Sequence, residues 1–180
     1  MSDERVVIFI DGSNFYHCLK GEFGKVSIDF EKFIETLSAG RRLVRAYYYN
    51  APVDQTSVPK MYTEQQRFFD TLRGVPYLDL KLGRLEKRGN SWVEKGVDVA
   101  LAVNMLQLAY RDVYDTAILV SGDADFASVL EAVKDLGKHT ETAFVRYGCS
   151  RQLREVSDRH VLLDSRFMKK VFRTKRRKTG

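Results

Sequence analysis

The stretch Val6-Val7-Ile8-Phe9-Ile10-Asp11-Gly12-Ser13-Asn14 runs five apolar residues straight into a polar turn. A strand covered on both faces of a parallel sheet reads as such an unbroken apolar run, whereas a strand with one wet face alternates. Residues 117–120 repeat the pattern and break into Ser121-Gly122-Asp123-Ala124-Asp125. Residues 43–49, ended by Asn50-Ala51-Pro52, and the weaker run 142–145 are further strand candidates, and residues 161–163 a last short one.

Helical spacing follows these runs. Met61, Phe68, Phe69 and Leu72 mark a helix over residues 60–72. Residues 97–110 form a strongly apolar helix, residues 126–136 another that stops at Gly137, and residues 150–156 a shorter one. Strands alternating with helices of this length predict right-handed crossovers and a doubly wound α/β sheet with helices on both faces. Residues 77–85 alternate in places, and Gly89-Asn90 turns them back toward Ser91-Trp92-Val93 as an irregular or edge hairpin. Of Tyr47, Tyr48 and Tyr49, the middle ring is expected to pack on the face opposite its neighbours.

The chain has 180 residues, 44% of them hydrophobic, and no linker divides it, so one domain over residues 1–168 is expected. No apolar run approaches the roughly 18 residues of a membrane span, and the start Ser2-Asp3-Glu4 is unlike a secretory signal. The cytoplasm is the default location, and two distant cysteines, Cys18 and Cys149, agree with it. The net charge of +6 is concentrated: residues 169–180 hold seven basic residues and no acid, and the rest of the chain is close to neutral. That segment is expected to stay unstructured until it meets an anion, with Arg173, Lys175, Arg176, Arg177 and Lys178 as candidate phosphate contacts.

In open α/β sheets the site lies beyond the carboxyl ends of the strands. Asp11 ends the first run, and Asp123 and Asp125 follow the run at 117–120. If these two strands are neighbours, the three carboxylates meet. Asp98 joins them from the first turn of the helix at 97–110, where Val97, Val99, Ala100 and Leu101 predict apolar surroundings and a positive partner. Carboxylates gathered this way repel one another, each pair by about 4 kcal/mol at 4 Å and an effective dielectric near 20. Divalent cations relieve that repulsion, and an oxygen-only set suits Mg²⁺ or Mn²⁺ rather than zinc. The chemistry such ions serve is phosphodiester hydrolysis. Ser13 and Ser121 are expected as hydroxyl donors beside the metals, Asn14 as a helix cap or a ligand-orienting amide, and Lys95 as a phosphate contact. Taken singly, Asp11, Asp123 and Asp125 could each be a turn or capping residue.

The stretches VVIFIDGSNFY (residues 6–16), EKGVDVALAVNMLQLA (94–109) and TAILVSGDADFASVLEAVKDLG (116–137), in this order and spacing, resemble the NYN-domain proteins of the LabA-like branch, relatives of the PIN ribonucleases. The resemblance implies a PIN-like three-layer α/β/α fold with a central, mainly parallel twisted sheet. It also implies metal-dependent cleavage of RNA, single-stranded RNA above all, with the acidic positions at Asp11, Asp98, Asp123 and Asp125. Asn14 and Ser121 match positions flanking the metals. Asn104 stands where many relatives carry Asp, about 240° around the helix from Asp98. Some members of this branch are regulatory factors, so a non-catalytic module that binds RNA or a protein partner, or a homodimer, is the competing expectation. A haloacid-dehalogenase-like phosphatase would need its nucleophilic Asp where Phe9 stands, a Toprim-type enzyme a Glu where Asp11 stands, and a dinucleotide site a glycine-rich turn.

Overall fold

The computed structural model describes residues 2–89 and 91–173. Six strands form one parallel sheet in the order β3-β2-β1-β6-β7-β8. They are β1 (Ser2–Asp11), β2 (Arg41–Asn50), β3 (Leu78–Leu82), β6 (Thr116–Val120), β7 (His139–Phe144) and β8 (Arg159–Leu162). β4 (Arg84–Arg88) and β5 (Ser91–Lys95) make a separate antiparallel hairpin. β1 and β6 are neighbours, in register from Val6 opposite Thr116 to Ile10 opposite Val120, so the winding direction reverses between them. This is the doubly wound α/β arrangement expected, and the apolar runs explain it: Val6 to Ile10 and Ala117 to Val120 have no exposed surface.

On one face lie α1 (Gly12–Phe23), α2 (Phe30–Ser38), α3 (Pro59–Arg73) and α7 (Ser165–Val171); on the other lie α4 (Val97–Tyr110), α5 (Ala127–Asp135) and α6 (Arg151–Val156). The two cores meet through the sheet. Tyr48 packs into the first core with Phe30 and Phe68, while Tyr47 and Tyr49 turn into the second beside Phe9. That is the alternation expected of consecutive strand residues.

Three expectations need correction. The alternating stretch 77–85 is not one strand: β3 joins the main sheet as its edge, and the chain then turns at Gly83 into β4. The segment from Lys169 is ordered as far as Arg173, because Asp164 caps α7 by accepting from the Phe167 N–H, Met168 and Val171 are fully buried, and Phe172 bridges to Ile28. Lys175, Arg176, Arg177 and Lys178 lie outside the described residues. Finally, the strongly apolar helix α4 does not surround Asp98 with apolar packing. Val97, Leu101, Met105 and Ala109 pack on the sheet, while Val99 (66% exposed), Val103 and Tyr110 (82%) face outward. Among the described residues no helix is long and apolar enough to cross a membrane.

Candidate functional site

The carboxyl ends of β1 and β6 build the site. Asp11 is the last residue of β1 and the N-cap of α1: its Oδ1 accepts from the Asn14 N–H at 3.2 Å, and its Oδ2 accepts from the Ser121 hydroxyl at 3.0 Å. Both oxygens are held, so the carboxylate has little freedom. Gly12 makes this turn possible, because a Cβ there would stand 2.3 Å from the Tyr48 ring and 2.6 Å from the Tyr49 carbonyl.

The loop after β6 is fastened to α1. The Asn14 Oδ1 accepts from the Gly122 N–H at 2.9 Å, and the Ser121 Oγ, while donating to Asp11, accepts from the Asp123 N–H at 3.1 Å. Asp123 in turn caps the short turn Ala124–Phe126 by accepting from the Asp125 N–H at 3.0 Å. Capping and clustering are therefore not alternatives here: Asp11 and Asp123 do both. Asn14 and Ser121 act on protein atoms, orienting Asp11 and the loop. Ser13 lies half-buried in the first turn of α1.

Asp98 enters from the first turn of α4, whose cap, Gly96, has no side chain to cap with. The expectation that apolar neighbours enclose it is wrong: Asp98 is exposed, because Val99 and Ala100 beside it point to solvent. Partial burial, then the charges of Asp123 and Asp125, still push its carboxyl above the usual range. Asp11 is only 4% exposed, and its carboxyl is raised to about 6. Burial is the main cause; the Asn14 N–H and Ser121 oppose it, and the charges of Asp98 and Asp123 add to it. The fold thus brings Asp11 of β1 and Asp123 of the β6 loop within electrostatic reach of Asp98 on α4, with Asp125 acting on Asp98.

Among the described residues none of these four carboxylates is in an ion pair. Nor do three or more Asp, Glu, His or Cys side chains stand close enough to make a preassembled metal cage. The donor set is all oxygen and negatively charged, which fits a hard divalent cation with retained waters and excludes a zinc-type nitrogen or sulfur set. The remaining sequence candidates lie elsewhere. Lys95, at the end of β5, pairs with Glu86 at 2.7 Å. Arg173 leaves α7 beside the α1–α2 loop, its N–H donating to the Ser27 carbonyl. Asn104 donates to the Tyr49 hydroxyl at 2.5 Å, taken up by the sheet. The sequence did not mark out Ser121 and Asn14 as the clamp between the two strand ends, since only the β1–β6 pairing makes them meet.

The fold has a close counterpart in the crystal structure of VPA0982, a protein of unknown function from Vibrio parahaemolyticus, with a TM-score of 0.76, 24% identity, and coverage of 92% of this chain and 97% of that one. In sequence, the chain is 26% identical over 167 residues to the low amplitude and bright protein LabA of Synechococcus elongatus, spanning 89% of this chain and 84% of that protein. The NYN domain model matches residues 5–164, from within β1 to the N-cap of α7. With a match of that extent, the chain belongs to the NYN domain family.

Proposed function

We propose that the protein is a metal-dependent ribonuclease that hydrolyses RNA phosphodiester bonds at the Asp11, Asp98, Asp123 and Asp125 cluster. The observation that carries this reading is the electrostatic condition of Asp11: a carboxylate held rigidly at a strand end, pushed to about 6 by burial and by like charges, with no cation among the described residues to balance it. Capping the helix does not account for such an arrangement, because a solvent-facing cap would do the same at no electrostatic cost. Mg²⁺ or Mn²⁺ held by these carboxylates would supply Lewis-acid activation of water and of the scissile phosphate.

The chain's own residues do the positioning. Ser121 and the Asn14 N–H fix the direction of the Asp11 carboxylate, and the Asn14–Gly122 bond keeps the β6 loop, with Asp123 and Asp125, at its distance from β1. Asp98, on a helix of the opposite face to α1, would complete the set, since its charge acts on Asp11 and is acted on by those of Asp123 and Asp125. Membership of the NYN family, among the PIN-like nucleases, supports RNA as the substrate class.

The test is incubation of the purified chain with end-labelled single-stranded RNA, in Mn²⁺ and in EDTA, beside Asp11→Asn. Cleavage should require the metal, and the variant should retain less than about a hundredth of the rate, since even residues that merely orient metal ligands are worth 10- to 100-fold. Cleavage that survives EDTA or the substitution defeats the proposal. Tight binding that leaves the RNA intact would assign the fold a binding role instead.

A further inference from the structure

We infer that the β4–β5 hairpin is a phosphate-gripping arm that holds the RNA strand on its way into the aspartate cluster. Residues 84–95 of the sequence hold four basic residues, Arg84, Lys87, Arg88 and Lys95, against two acidic ones, Glu86 and Glu94. The rest of the chain up to Arg173 is balanced, with 22 basic against 22 acidic residues. The ribbon is therefore a net positive element beside an acidic site. This inference rests on the nuclease reading only in naming RNA as what the ribbon holds.

The ribbon's root is fixed beside the site. The Gly83 N–H donates to the Asn50 carbonyl at the end of β2, at 2.8 Å. A Cβ on Gly83 would lie 2.4 Å from the Val97 side chain and 3.1 Å from the Lys95 carbonyl. Only glycine lets the start of β4, the end of β5 and the first residue of α4 meet this closely. Arg84 and Lys95 face each other across that root, and Lys95 is three residues from Asp98. Lys87 lies about 10 Å further out along β4, at a rise near 3.4 Å per residue.

The hairpin belongs to no larger sheet, and a lone two-stranded ribbon is marginal in water, so a structural role does not explain it. Arg84, Lys87 and Lys95 are exposed. The pairing of Lys95 with Glu86 is between half-exposed groups, a contact worth about 0–1 kcal/mol that a phosphate can displace. An acidic site must also bring a polyanion against its own repulsion, and cations at its rim, outside the reacting centre, do this without neutralising the carboxylates.

The experiment measures affinity of the full chain for a fluorescent single-stranded RNA in EDTA, where no cleavage intervenes. Arg84→Glu/Lys87→Glu is compared with Arg151→Glu/Arg154→Glu, an equal charge change on exposed α6. The hairpin variant should bind roughly 10- to 100-fold more weakly, with a salt slope shallower by about 1.4, from roughly 0.7 per lost contact. The α6 variant should change affinity by less than about threefold. Equal losses in the two variants, or none in the hairpin variant, overturn the inference. If the reversed hairpin misfolds by its thermal transition, Arg84→Gln/Lys87→Gln gives the same comparison with a smaller expected loss. The two readings fail separately: hairpin-dependent binding without Mn²⁺-dependent cleavage removes the nuclease, and cleavage with hairpin-independent binding removes the arm.

Discussion

The two ends of the sheet treat their acids in opposite ways. At the amino ends of the strands, Glu141, 4% exposed, is held by Arg41 through two bonds of 2.8 and 3.0 Å, and Arg41 also reaches Glu4. Asp115 and Asp112 share Arg5, Asp112 also pairs with Lys138, and Asp158 pairs with Lys134. At the carboxyl ends, Asp11 and Asp123 accept hydrogen bonds, and the charges of Asp98, Asp123 and Asp125 act on one another or on Asp11, with no cation among the described residues. Burial is similar for Glu141 and Asp11, so solvation does not separate the two ends. What separates them is the presence of a countercharge among the described residues. Among the described residues, the acids of the amino end have their cations, and the four of the carboxyl end do not.

The comparison predicts its largest effect at the completed end. Among the described residues, Arg41→Met leaves buried Glu141 with the exposed Arg159, at 3.7 Å, as its ion-pair partner. Removing one partner of a buried pair costs about 3–5 kcal/mol. That corresponds to a fall in Tm of roughly 6–20 °C for a chain of this size. A loss below about 1 kcal/mol in urea melts would mean that the buried pairing does little, and the contrast between the ends would weaken.

The unpaired end should respond with the opposite sign. The Asp11 carboxyl is raised to about 6 in the fold, against about 3.9 in the unfolded chain, so between those values the native state binds the extra proton. Its contribution to stability is therefore present at low pH and lost as pH rises from about 4 through 6, amounting to about 2–3 kcal/mol above pH 7. In EDTA, Asp11→Asn should raise stability at pH 7.5 by up to that amount, and the advantage should vanish near pH 4. A destabilised Asn variant at neutral pH would show that Asp11 is a structural cap first.

How much of this was legible in sequence depends on where the signal lies. The runs at Val6 and Ala117 announce buried parallel strands because β1 and β6 are covered on both faces, and Asp11 and Asp123 follow as strand-end residues. α2 is equally legible once sought, with Asp29 as cap before Phe30, Phe33, Ile34 and Leu37. α7 was hidden because its basic residues obscure the spacing of Phe167, Met168 and Val171. The exposure of Asp98 was not legible: an apolar helix predicts burial all round, and only the packing shows that the Val99–Val103–Tyr110 side finds no partner within the described chain. The basic hairpin escaped notice for a related reason. Its charge is diluted by Glu86 and Glu94 in the sequence and concentrated only when β4 folds back on β5 beside α4.

The smallest effect should come from the rim of the completed end, and it sharpens the contrast through pH. Arg5 holds the Asp115 carboxyl at about 2, chiefly by its side-chain hydrogen bonds. That group stabilises the fold above about pH 4, and the contribution is lost as pH falls toward 2, the reverse of Asp11. Because the Asp115 side chain is 37% exposed, solvent screening limits its worth to at most about 1 kcal/mol. Asp115→Asn should therefore lower Tm by no more than roughly 4 °C, and only above pH 4. With both groups acting, the metal-free protein should be most stable between about pH 4 and 5, where Asp115 is still charged and Asp11 already protonated. Mn²⁺ binds the charged cluster and should move that maximum toward neutrality, by a shift that Asp11→Asn removes and Asp115→Asn does not. A maximum that stays in place on adding Mn²⁺ would mean that the carboxyl end of the sheet is not where the ion binds.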